Sequence, residues 1–124
     1  MAISNVKVVN TTSKYIVKST GTKSETDQEL VDAEKLTEGT DGSKVSLIEC
    51  YYLIEGTGTL TINAASETET QAAGKTVAKP LSLTGKGKYG LRPNQLKYGN
   101  DKIIKLTTDS NVKSYLLVTE FRRN

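Results

Sequence analysis

The chain has 124 residues, a formal charge of +3, one cysteine and no histidine. That length carries one hydrophobic core but not two. The missing histidine removes the usual general base, the commonest transition-metal ligand and the Ser-His and Cys-His nucleophile pairs, and a single cysteine excludes an internal disulfide framework. Thr, Val and Ile number 17, 9 and 7, side chains that suit a pleated, half-buried sheet surface. The expectation is one domain over residues 1–124, all-β, a β-sandwich or jelly-roll-like fold of about seven or eight strands.

In chain order, the opening "MAISNVKVVNTTSKYIVKSTG" has no apolar run of signal-peptide length, and no later stretch approaches a membrane span, so the chain reads as soluble and not obviously exported. Strands are expected near Val6 and over Tyr15 to Lys18. "TDQELVDAEKL" (26–36) gives a poor helical stripe and reads as strand or irregular. "KVSLIECYYLIE" and "TLTIN" read as a hairpin across Gly56-Thr57-Gly58, because glycine admits the positive φ of a tight reversal. Both alternating sets of the first arm are mostly apolar, which predicts a strand covered on both faces. Cys50 sits among them as a small core residue.

"NAASETETQAAGKTVAK" (63–79) has few apolar residues and reads as an exposed, mobile loop. A strand is expected at Leu81 to Leu83. "KIIKLTT" and "VKSYLLVTEF" read as a second hairpin across Asp109-Ser110-Asn111. The predicted buried set is Leu47, Ile48, Leu53, Ile54, Leu116 and Val118.

Chemistry is conspicuous by what is lacking. One cysteine and no histidine exclude an ordinary zinc site, and no calcium loop or phosphate-cradling glycine pattern occurs, so neither metal nor cofactor is expected. No catalytic residue is assigned. Glu49 and Glu55 share a strand face, but six positions separate them by roughly 20 Å, too far for a glycosidase pair. Glu49 would need a partner from another strand, and it reads instead as a rim carboxylate paired with a lysine or hydroxyl.

Charge is uneven along the chain. Residues 1–70 hold 6 Lys against 11 acids, and residues 71–124 hold 11 Lys and Arg against 3, net −5 and +8. Such a split points to a nucleic-acid face, an acidic partner, or contact between copies. Few aromatics accompany the basic residues, which tells against nucleic acid.

Taken together, "AISNVKVVNTTSKYIVKSTG", "SLIECYYLIEGTGTLTI", "GKYGLRPNQLKYG" and "KIIKLTTDSNVKSYLLVTEFRRN" resemble, over nearly the full chain, small virion structural proteins of tailed bacteriophages, particularly marine ones. The resemblance implies a non-enzymatic capsid decoration or cement protein, made in the host cytoplasm and placed on the capsid surface. Its implied partners are the major capsid protein and neighbouring copies, in a homo-oligomer or lattice, with no membrane.

A cement protein needs a rigid scaffold and loops that reach neighbours. "GKYGLRPNQLKYG" is the candidate contact loop, with Pro93 limiting its freedom, Tyr89 and Tyr98 as anchors and Arg92 as a carboxylate partner. Lys97, Arg122 and Arg123 complete the basic half expected to face an acidic patch. The alternatives are a carbohydrate- or host-surface-binding β-sandwich, for which exposed aromatics are scarce, and a basic nucleic-acid-binding protein.

Overall fold

The computed structural model describes residues 3–10, 14–33, 44–90 and 98–123. Its strands are β1 (Ser4–Asn10), β2 (Lys14–Thr22), β3 (Gln28–Asp32), β4 (Val45–Gly56), β5 (Leu60–Ala64), β6 (Thr68–Thr70), β7 (Thr76–Ala78), β8 (Leu81–Leu83), β9 (Lys86–Gly90), β10 (Tyr98–Asp101), β11 (Ile103–Thr108) and β12 (Val112–Arg123). One sheet has the order β1-β2-β12-β4-β10, with β9 also on β4; a second has the order β3-β11-β5-β8; β6 and β7 form a separate ribbon. All pairings are antiparallel. The architecture is the antiparallel β-sandwich that the composition favours.

Between the sheets, alternate side chains form one core. The six-stranded sheet sends in Tyr15, Val17, Leu47, Cys50, Ile54, Tyr115, Leu117 and Phe121, and the four-stranded sheet answers with Leu30, Leu60, Ile62, Leu83, Ile104 and Leu106. The Tyr15 and Phe121 rings stack with centroids 6.3 Å apart. Burial pushes the Cys50 thiol up to about 12, so it behaves as a small inert hydrophobe.

Neither expected hairpin exists. β4 and β12 lie in the six-stranded sheet, whereas β5 and β11 lie in the four-stranded one. β4 pairs with β12 and β5 with β11, so two long paired arms bend together from one sheet into the other at Gly56-Thr57-Gly58 and Asp109-Ser110-Asn111. A corner and a hairpin need the same local chemistry, since glycine supplies the conformation in either case. Gly56 has φ +97°, and a Cβ there would strike the carbonyl oxygen of Asn111. What decides between corner and hairpin is the partner across the sheet, which lies about fifty residues away in sequence.

The two-sided cover expected for β4 and β12 is also absent. Leu47 and Ile54 are buried, but Ile48, Leu116 and Val118 are half-buried and Leu53 is 43% exposed. The outward face of the six-stranded sheet carries the apolar residues that were assigned to a second interior.

Four short strands fall where loops were expected, raising the count above seven or eight. β6 and β7 make an exposed ribbon turning at Gly74 (φ +83°), so residues 63–79 are not an irregular loop. β9 and β10 bring Tyr89 and Tyr98 onto one edge of β4, Tyr89 opposite Cys50 and Tyr98 opposite Leu47.

Candidate functional site

That edge settles the tyrosines. Tyr98 is 6% exposed, and its hydroxyl lies 2.9 Å from the Ile62 carbonyl and 2.8 Å from that of Lys79, sharing its proton between them. Tyr89 is half-buried and packs on the core. Their inward register makes both parts of the scaffold, and burial of Tyr98 corrects the reading of it as a contact anchor. Arg122 is exposed on β12. Arg123 ends the same strand, and its side chain lies outside the described residues, as do Arg92, Pro93 and Lys97.

The charge split along the chain is not a split in space. From β2 to β10 the strands of the two halves alternate in the six-stranded sheet; Lys88 of the basic half lies 3.0 Å (Nζ) from Glu49 Oε1 of the acidic half, and Lys14 Nζ lies 3.8 Å from Glu120 Oε2.

On the outward face of this sheet, Leu53 of β4 stands opposite Leu116 of β12, and Tyr51 opposite Val118. Tyr51 and Leu53 are 51% and 43% exposed. This block is flanked by lysines: Lys18 pairs with Val118 from the β2 side, and Lys86 pairs with Leu53 from the β9 side. Lys88 reaches over the Tyr51 ring, 5.2 Å from its centroid. Lys18 and Lys86 make no ion pair among the described residues. This is an apolar block rimmed by charge on an uncovered sheet face.

Glu120 is the cross-strand partner that Glu49 lacked in the sequence, directly opposite it. The pair does not resemble a glycosidase dyad. Lys88 and Tyr51 hydrogen-bond the Glu49 carboxylate and hold it below the usual carboxylate range, whereas an acid catalyst needs the reverse. The lysine-paired rim carboxylate expected for Glu49 is what the structure shows.

Two residues that the sequence reading passed over organise the end of the sandwich where the paired arms turn. Asp109 ties three segments together: its carboxylate accepts from Thr59 N at 2.9 Å and Asn111 N at 2.9 Å, its carbonyl from Ser24 N at 3.1 Å, and its own N donates to the Thr59 carbonyl at 3.3 Å. Glu25 is 2% exposed; it accepts from the Tyr115 hydroxyl at 2.6 Å and Thr22 N at 2.9 Å. Burial, then the hydrogen bond and charge of Glu25, push the Tyr115 ionisation far above its ordinary range.

Glu25 enters the interior from a turn whose Ser24 and Asp27 both have positive φ, 56° and 48°. A Cβ on Gly21 would lie 2.6 Å from Glu25 Oε2 and strike the Tyr115 hydroxyl. "KSETD" is wholly polar, and no periodicity marks its glutamate as internal.

Beside this network an open cleft of about 720 Å³ is lined by Thr22, Lys23, Gly56, Thr57, Ser110, Asn111, Val112 and Lys113. Among the described residues no three His, Cys, Asp or Glu side chains gather as a metal-ligand set.

No protein-family model matches the chain, and no curated protein does. Among solved structures, a cupin domain from Bordetella pertussis Tohama I is similar at 9% identity with a TM-score of 0.43, covering 99% of this chain and 94% of that one. A likeness at that level says nothing of activity.

Proposed function

We propose that this is a non-enzymatic structural protein that docks on a repeating protein surface through the outer face of its six-stranded sheet. The observation that supports it best is the uncovered block of Tyr51, Leu53, Leu116 and Val118, flanked by Lys18 and Lys86, which make no ion pair among the described residues. Its complement is an apolar patch with carboxylates on its margins. Burial of the block supplies the attraction, and the lysines supply register and speed of encounter.

The setting that suits this face is the virion of a tailed phage, with the major capsid protein as partner and the capsid surface as location. There each weak contact is repeated over many copies, and neighbouring copies reinforce one another. Arg92, Pro93 and Lys97 stay in the proposal as the contact tract expected from the sequence.

Sedimentation of purified protein with head particles that lack it tests the reading. Wild type is expected to saturate the heads, and Leu53→Glu to bind at least tenfold more weakly, since it places a carboxylate in the apolar block. Equal binding by the two refutes the docking face. DNA binding with steep salt dependence in place of head binding would favour the nucleic-acid alternative.

A further inference from the structure

The cleft where the two paired arms cross is separate from the docking face, and we propose that it binds a small carboxylate-bearing, hydroxyl-rich ligand, the chemistry of a uronic acid. Its volume of about 720 Å³ falls within the range of small-ligand sites. Three segments distant in sequence build it: Thr22 and Lys23 after β2, Gly56 and Thr57 between β4 and β5, and Ser110 to Lys113 between β11 and β12.

Charge selects an anion. Lys23 and Lys113 both line the cleft and make no ion pair among the described residues. The nearby carboxylates do not neutralise them by direct contact, because Asp109 is committed to Thr59 N and Asn111 N, and the buried Glu25 to Tyr115 and Thr22.

Backbone geometry selects against phosphate. A phosphate site relies on converging backbone N–H groups, and among the residues lining the cleft those of Thr22, Asn111 and Val112 are spent on Glu25 or Asp109. Side chains do the recognising instead: two ammonium groups, the hydroxyls of Thr22, Thr57 and Ser110, and the Asn111 amide. Among the described residues no aromatic ring lines the cleft, so a neutral sugar lacks the stacking surface that usually holds it. The walls are held in place by the Asp109 bonds and by Gly56 at φ +97°, which reduces the ordering cost of binding a small molecule.

Amide-detected NMR titration of the wild-type chain tests this with glucuronate, galacturonate, glucose, inorganic phosphate and tetraglutamate. The uronates are expected to produce saturating shifts at Thr22, Thr57, Ser110 and Asn111. Lys23→Glu or Lys113→Glu, both at exposed positions, is expected to weaken them at least tenfold, whereas Lys75→Glu on the β6–β7 ribbon and Leu53→Glu on the docking face leave them unchanged. Glucose or phosphate binding as well as the uronates, tetraglutamate saturating where uronates do not, no saturation by any probe, or cleft variants that bind like wild type would each overturn the assignment.

Discussion

Glu49 and Glu120 stand directly opposite one another on β4 and β12, and each is tethered by a lysine from the next strand outward, Lys88 on β9 and Lys14 on β2. The result is a Lys-Glu-Glu-Lys ladder across four strands. Two like charges placed opposite repel, and the lysines offset that repulsion.

The ladder has a pH signature. Because the Glu49 carboxyl is held below its ordinary range, chiefly by its hydrogen bond from Lys88, its contribution to stability is present above that range and is lost as pH falls through it. Lys88→Met is expected to raise the Glu49 titration midpoint, since it removes the hydrogen bond and the charge that hold it down. Carboxyl-carbon NMR titration checks this, and an unmoved midpoint would contradict it.

Neighbouring leucines test the face assignment. Leu117 is fully buried and Leu116 half-buried on the opposite side of β12. Leu117→Ala is expected to cost about 2–5 kcal/mol in chemical denaturation, and Leu116→Ala about 1 kcal/mol or less. Similar losses at the two positions would restore the two-sided cover read from the sequence.

The same pair shows how far the sequence was legible. Alternation and β-branched residues identified the long strands and the all-β class, because those signals are local. Leu116 and Leu117 are both apolar, so periodicity does not decide between them, and the expectation that Leu116 and Val118 are buried fell on the outward set. The choice is settled by register against β2 and β4, and the same long-range pairing turned two expected hairpins into corners. Tyr98 looked like an exposed anchor because its neighbours are polar and glycine-rich, yet its strand position points it inward. Glu25 gave no signal, since its burial depends on Tyr115, ninety residues away.

Tyr115→Phe removes the hydroxyl that Glu25 Oε1 accepts from, leaving a buried carboxylate short of a donor. A loss of about 1–3 kcal/mol is expected at neutral pH. Burial raises the ionisation of Tyr15, Tyr89, Tyr98 and Tyr115 alike, so stability is expected to be full below the ordinary tyrosine pKa of about 10 and to fall as pH rises above it. Denaturation curves across alkaline pH should show that fall, and a shallower one for Tyr115→Phe. A flat profile would contradict the buried network.

Asp109→Ala removes the acceptor for Thr59 N and Asn111 N at the corners. The expected cost is about 2 kcal/mol, with faster amide exchange at Thr59 and Asn111 while the Leu117 amide keeps its protection. Unchanged exchange at the corners would show that Asp109 does not hold them.

The proposed docking face is tested most directly by photo-crosslinking on phage heads incubated with the protein. A photoreactive phenylalanine in place of Tyr51, at the centre of the outward block, is expected to crosslink to the major capsid protein, and the same group in place of Thr70, exposed on the β6–β7 ribbon, is expected not to. Crosslinking from position 70 alone, or from neither position on fully decorated heads, would contradict the account.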